Sequence, residues 1–311
     1  MASYSPSSLL IAHHHHHHPS FSAASAISCF AHLASSTLSL LPNKPCMWRG
    51  QNCLQKQAGK RVASVVAAGM LQQVANTEIP TRDGTKIQAF VSIPPSNPIS
   101  ESQSAPEKLP LLILIHEFYG LTPEICGRKA EAIAKEVGCA VIAPDTYRGE
   151  STRFVPKAIF LALTTPQERV NKDLDEVLAW ASTLPQVNID KVGLVGFCYG
   201  GGKALEYSIY YKKAKAVIVI YGKPVLDVES LKSIGGSVLG VFGDQDAQFP
   251  LKMIMDFEEA LEKAEIWKKI IISKGQGHAF WKDMDQVIRG NQPQKEVWIE
   301  VTNFLRNTLF T

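Results

Sequence analysis

A cysteine at position 198 is fenced by glycines two residues before and two after it, in Gly196-Phe-Cys-Tyr-Gly200. The apolar run Val192-Gly-Leu-Val-Gly-Phe197 precedes it, and the helix-like segment Lys203-Ala-Leu-Glu-Tyr-Ser-Ile-Tyr210 follows. A nucleophile set between a buried strand and a helix, with glycine at both second neighbours, is a nucleophile elbow. The turn is too sharp for side chains at the fence positions, and it lifts the reactive atom above the sheet. It also sets the sulfur at a helix N-terminus, whose partial positive charge favours a thiolate. The plainer reading is a buried structural cysteine beside a glycine-rich turn. Neither Gly-x-Gly-x-x-Gly nor a phosphate loop ending in Gly-Lys-Ser/Thr is present, so phosphate cradling does not explain the glycines.

A thiol of this kind needs a base, and the base needs an acid to orient it. Downstream, Leu239-Gly-Val-Phe-Gly-Asp-Gln-Asp246 reads as a strand running into a loop with two carboxylates, Asp244 and Asp246. Next, Ile270-Ile-Ile-Ser-Lys-Gly-Gln-Gly-His278 reads as a strand, a glycine-rich loop and a histidine. His278 is the only histidine after His116. The order nucleophile, acid, histidine is that of an α/β-hydrolase triad. His278 would take the thiol proton and later protonate a leaving group, while an acid holds its tautomer. A tetrahedral oxyanion needs two N–H donors. One is expected from the backbone of Tyr199, directly after the nucleophile, and the other from the loop after Leu111–Ile115.

The surrounding pattern supplies elements to hold these residues. Gln73–Ile79 and Lys86–Ile93 alternate around Arg82-Asp-Gly84 and predict an antiparallel hairpin. The Pro- and Ser-rich stretch from Pro94 to Pro110 predicts a loop. Strands are predicted at Leu111–His116, Cys139–Ala143, Val192–Phe197, Ala216–Tyr221, Val238–Phe242 and Trp267–Ser273. Helices are predicted at Pro123–Val137, Pro166–Leu184, after Cys198, at Leu251–Ala264 and at Glu296–Leu309. Strands alternating with helices build a mostly parallel sheet covered on both faces, an α/β class.

The head of the chain is different. No Asp or Glu occurs before Glu78, while Lys44, Arg49, Lys56, Lys60 and Arg61 do, amid Ser and Ala. Residues 1–68 are therefore expected to be a disordered transit peptide, removed on delivery to the chloroplast stroma, and 69–311 the folded domain. Without the head's five positive charges the formal net charge falls from +3 to −2, since +3 − 5 = −2. Nothing in that balance argues for nucleic acid or an anionic membrane. No apolar run reaches the roughly 18 residues of a membrane span. The tract His13 to His18 reads as an inserted tag or as natural low complexity, and no metal site is expected there. Cys29, Cys46 and Cys53 lie in the head; Cys126, Cys139 and Cys198 remain, with no Cys-x-x-Cys pair, which fits a reducing compartment.

Six segments in order make the domain recognisable: His116-Glu-Phe-Tyr-Gly120, Ala143-Pro-Asp-Thr-Tyr147, Gly196-Phe-Cys-Tyr-Gly-Gly201, Tyr221-Gly222, Gly243-Asp-Gln-Asp246 and Gly277-His-Ala-Phe280. Together they resemble the dienelactone hydrolase family, the carboxymethylenebutenolidases and their homologues, from about Val74 to the C-terminus. The resemblance implies an α/β-hydrolase fold and a cysteine-dependent hydrolase of a small-molecule ester or lactone, working as a monomer with no cofactor through a thioester. The family spacing Gly-x-x-Asp-x-x-x-Pro selects Asp246 as the acid and leaves Asp244 in the turn. It also implies that Glu117 accepts a hydrogen bond from the resting thiol until substrate displaces it, and that the Phe118 N–H is the second oxyanion donor. The plainer reading of Glu117 is a turn cap or a partner of Arg128. Bacterial members clamp a substrate carboxylate with arginines; here the position after the histidine is Lys282, and Arg153 and Arg169 lie in the right region without a matching motif. Tyr119, Tyr147, Tyr199 and Trp281 would either line a pocket or join the core. Two other readings remain open. One is a small-molecule-binding protein with an idle triad; the other is a thiol redox protein, against which the lack of a nearby second cysteine counts.

Overall fold

The computed structural model describes residues 75–94, 107–123 and 127–311. The expected transit segment with its histidine tract, most of the loop predicted after Pro94, and Cys126 lie outside the described residues.

In the rest, eight strands form one sheet in the order β1-β2-β4-β3-β5-β6-β7-β8. The hairpin β1 (Thr77–Pro80) and β2 (Lys86–Ser92) is antiparallel, and β2 also runs antiparallel to β4 (Ala140–Pro144). From β4 onward every pairing is parallel: β4 with β3 (Leu109–Ile115), β3 with β5 (Val187–Phe197), then β6 (Ala216–Ile220), β7 (Ser237–Gly243) and β8 (Lys268–Ser273). The inner strands read as unbroken apolar runs because both faces are covered. Alternation within β3 shows it. Leu112 and Leu114 pack on one side with Ala130 and Ile133 of α1 (Arg128–Ile133) and with Val297, Val301 and Leu305 of α8 (Gln294–Leu309). Leu111, Ile113 and Ile115 pack on the other with Val170, Leu174 and Val177 of α3 (Gln167–Ala181), Leu205 of α4 (Tyr199–Tyr211) and Phe257 of α6 (Leu251–Lys263).

Three helices lie where the sequence pattern gave no helical stripe: α2 (Val155–Thr164), the four-residue α5 (Val228–Leu231) and α7 (Met284–Ile288). Helix α2 turns Ala158 and Leu161 to the core while the equally apolar Phe160 and Leu163 stay exposed, so its apolar residues do not by themselves mark the buried face. Helix α1 runs on through a wide π turn at Ala134–Gly138. Strand β5 begins earlier, at Val187, and absorbs the extra length in a register shift at Pro110/Leu111.

The parallel registers decide where function sits. Ile115 pairs with Gly196, Phe197 with Ile220, and Gly243 with Ser273. The loops carrying Glu117, Cys198, Tyr221, Asp246 and His278 therefore leave the sheet along one edge, the carboxyl edge, where open α/β sheets form their crevice.

Candidate active site

The elbow is built as its glycines require. Cys198 has φ 53° and ψ −114°, a left-handed backbone that a side-chain-bearing residue adopts only at a cost. A Cβ on Gly196 would stand 2.0 Å from the Gly200 oxygen, and one on Gly200 would stand 2.2 Å from the Ile115 oxygen. Neither position accepts a side chain while the turn stays closed. Tyr199 is the first residue of α4, so its N–H belongs to the unpaired donors of a helix start.

The loop after β3 is held by His116, which is fully buried. Its Nδ1 bonds the Glu117 carbonyl at 2.7 Å and its Nε2 accepts the Thr146 N–H at 3.1 Å. A backbone N–H can only donate, so the ring is neutral with its hydrogen on Nδ1. Burial lowers the pKa of His116, which keeps it so. Glu117–Gly120 closes a turn through Gly120 N to Glu117 O at 3.0 Å. Phe118 and Tyr119 ride on that turn with ring centroids 4.1 Å apart.

His278 joins the two ends of the site. Its Nε2 is 3.1 Å from Cys198 Sγ and its Nδ1 2.8 Å from Asp246 Oδ2. Asp246 is fixed in turn by the N–H groups of Gln248 and Phe249, at 2.8 and 3.1 Å on Oδ1. Asp244 instead accepts the Gly275 N–H at 2.7 Å and ties the acid loop to the histidine loop, a turn role. Burial alone pulls the His278 imidazole down. The charge on Cys198 and the hydrogen bond to Asp246 outweigh it and hold its pKa up at about 10.

Glu117, only 7% exposed, sits between these groups and the core. Its Oε1 accepts the Tyr221 hydroxyl at 3.1 Å. The thiol is bonded to His278, and the described partner of Glu117 is Tyr221. The resting Glu117–thiol bond implied by the family resemblance is thus not the arrangement seen, because each group has another partner. Arg128 pairs with Asp285 at 3.4 Å on the surface, not with Glu117. No sequence signal identified Tyr221 as the hydroxyl that meets Glu117, although Tyr221-Gly222 stood among the recognised segments.

Lys282 is exposed, and its backbone N–H caps α7 through Gln286 Oε1 at 2.7 Å. Arg153 is exposed as well. Arg169 lies closer to the chemistry. Its Nη2 donates to the Thr146 carbonyl at 3.0 Å and to Thr165 Oγ1 at 3.1 Å, and Thr146 Oγ1 is 3.3 Å from Tyr199 Oη. Arg169 Nε and Tyr147 Oη are buried without a hydrogen-bond partner among the described residues. Trp281 and Tyr147 are core residues, while Tyr119 and Tyr199 are half-buried at the site. Among the described residues, no three His, Cys, Asp or Glu side chains are grouped to hold a metal, and no helix is long and apolar enough to cross a membrane.

Residues 99–309 match the family model described as the dienelactone hydrolase family. This chain belongs to that family. A Salmonella typhimurium protein assigned to the carboxymethylenebutenolidases is 30% identical over 232 residues, 68% of this chain and 84% of that one. An Escherichia coli (strain K12) protein so assigned is 29% identical, over 68% and 83%. A crystal structure of a Klebsiella pneumoniae protein assigned as a dienelactone hydrolase superposes with a TM-score of 0.61, at 24% identity, over 74% of this chain and 96% of that one. That likeness is one of fold: an α/β-hydrolase with a mostly parallel sheet. As a dienelactone hydrolase family member, the protein is a hydrolase of carboxylic esters or lactones.

Proposed function

We propose that this family member works through Cys198, His278 and Asp246 by way of a thioester acyl-enzyme. The observation that carries the reading is the bridging imidazole, with one nitrogen 3.1 Å from the sulfur and the other 2.8 Å from the carboxylate. The Cys198 sulfur attacks the substrate carbonyl carbon, and its proton resides on His278. The oxyanion is held by the N–H groups of Tyr199 and Phe118. His278 protonates the departing alkoxide as the C–O bond breaks, leaving the acyl group on sulfur. Water then attacks the thioester while His278 takes its proton, and the sulfur leaves. A thiolate is a better leaving group than an ordinary alkoxide. Forward reaction therefore favours esters and lactones of acidic alcohols, such as phenols and enols.

With a phenyl acetate ester, the peptide containing Cys198 is expected to carry one acetyl group in rapid-quench mass spectrometry, removable by hydroxylamine. Turnover without an acetylated Cys198 would sink the thioester. Ligand binding with no turnover would favour the idle-triad reading instead.

The cationic end of the site is Arg169, whose charge acts on Tyr147 and whose Nε, like the Tyr147 hydroxyl, is buried without a hydrogen-bond partner among the described residues. Substrates bearing a carboxylate are expected to pair there. A charge-assisted hydrogen bond contributes about 1.5–3 kcal/mol, so Arg169→Gln should raise KM for a carboxylated ester about tenfold or more. KM for a neutral ester should stay within about twofold, and Lys282→Gln should change neither. Equal effects on both esters would remove Arg169 from recognition.

A further inference from the structure

The histidine of the site stands on a strained link. Ala279, directly after His278, has φ 54°, a left-handed backbone that a residue with a Cβ adopts only at a cost. Such a conformation persists where the structure on both sides holds it. Before the link, the loop is tied to the acid loop: the Gln245 N–H donates to the Gln276 carbonyl at 2.9 Å, and the Gly275 N–H to Asp244 Oδ1 at 2.7 Å. Beyond the link, side chains from four elements reach the next two carbonyls. The Phe280 carbonyl accepts Gln294 Nε2 of α8 at 2.8 Å and Gln286 Nε2 of α7 at 3.3 Å. The Trp281 carbonyl accepts Lys129 Nζ of α1 at 3.2 Å and the hydroxyl of Tyr221, just after β6, at 3.0 Å.

Lys129 is the unusual member of this set, because it is fully buried. Burying a lysine is costly unless its donors are used. Here the amine also stands 4.0 Å from the centre of the Phe197 ring and 5.0 Å from that of Trp281, faces that suit a cation. Phe197 precedes the nucleophile, and Trp281 follows the histidine by three positions, so one side chain touches both catalytic loops. We propose that Lys129 is a positioning residue for the base: its hold on the Trp281 carbonyl, with that of Gln294 on the Phe280 carbonyl, keeps Ala279 left-handed and His278 against Cys198. The proposal rests on the reading of Cys198 as nucleophile and His278 as its base.

Lys129→Met keeps the length and removes the donor. Ala279 can then relax to negative φ, and the imidazole leaves the sulfur. Ester kcat should fall about tenfold, the order by which a left-handed backbone disfavours alanine, with KM within about twofold. Iodoacetamide labelling of the free variant at pH 7 should slow alongside, since the sulfur loses the group that takes its proton. Glycine adopts left-handed backbone as readily as right-handed, so in an Ala279→Gly background Lys129→Met should lower kcat no more than about twofold. A lysine that only stabilises the core predicts the same loss in both backgrounds, following the melting temperature. Gln294→Leu loosens the Phe280 side without touching the aromatic lining of Lys129. It should show the same dependence on position 279, which covers the case of a poorly folded Lys129→Met. Unchanged kcat and labelling in a folded Lys129→Met, or equal losses with and without Ala279→Gly, would overturn the proposal. Wild-type turnover that survives complete labelling of Cys198 would overturn the nucleophile reading beneath it, and is measured first.

Discussion

Cys198→Ala is expected to leave ester hydrolysis at background, and Cys198→Ser to lose at least about 10³-fold in kcat, in proteins that remain folded. The serine result carries more information. Serine keeps the elbow, the hydrogen bond to His278 and the oxyanion donors, and changes only the acidity and polarisability of the attacking atom. An alcohol is far harder to deprotonate than a thiol, and His278 is matched to sulfur: the charge on Cys198 is a main cause of the imidazole's raised pKa. The same coupling gives a readout apart from turnover. In Cys198→Ala that charge is gone while burial, which lowers the pKa, remains. The His278 resonances should therefore titrate at lower pH than in wild type. Stability should change little, because position 198 keeps its left-handed backbone in either variant and only one hydrogen bond at the sulfur is lost. Circular dichroism and thermal melts check the fold, and a chromogenic ester checks the rate. Undiminished turnover in Cys198→Ala would move the nucleophile elsewhere.

Much of this site was legible because its chemistry is written in short segments. Gly196 and Gly200 are needed by backbone contacts within the elbow itself, and the strands before Cys198, Asp246 and His278 announce themselves by apolar runs that the parallel sheet buries on both faces. What joins those segments was not legible. Lys129 sits among Arg128, Glu131 and Lys135, where a lysine reads as a solvated helix face, and only the docking of α1 over Phe197 and Trp281 encloses it. Tyr221 reads as the last residue of a buried strand; its hydroxyl meets Glu117 because β3, β5 and β6 end close to one register. Lys282 shows the opposite failure. Its place after His278 resembles a binding position, yet the capping box of α7, with Asp283 and Gln286 bonding each other's backbone, turns that stretch outward. Helix α2 escaped because its exposed Phe160 and Leu163 are as apolar as the Ala158 and Leu161 it buries.

Glu117→Gln is expected to separate thiol reactivity from turnover. The substitution keeps shape, and through its amide oxygen it can still accept the Tyr221 hydroxyl, so the fold of the loop should survive. It removes the charge of a carboxylate that is only 7% exposed and is bonded to Tyr221, whose ring stands 5.4 Å from that of His278. An anion within ~4–6 Å of the sulfur opposes a thiolate, so its loss should favour one. The free variant should react faster with iodoacetamide near neutral pH, with a profile moved toward lower pH, and should oxidise more readily on exposure to peroxide. Turnover of the chromogenic ester should fall nonetheless, on the reading that this carboxylate coordinates substrate arrival with release of the thiolate; a sulfur reactive before substrate binds gains nothing in the acyl-transfer step. A Glu117 that only caps the loop predicts the reverse pattern: a lower melting temperature, with labelling unchanged. The decisive measurement is the pH dependence of iodoacetamide labelling in wild type and Glu117→Gln, alongside their melting temperatures. Coincident profiles in two equally stable proteins would end the gating role for Glu117, while leaving Cys198, His278 and Asp246 as the reacting set.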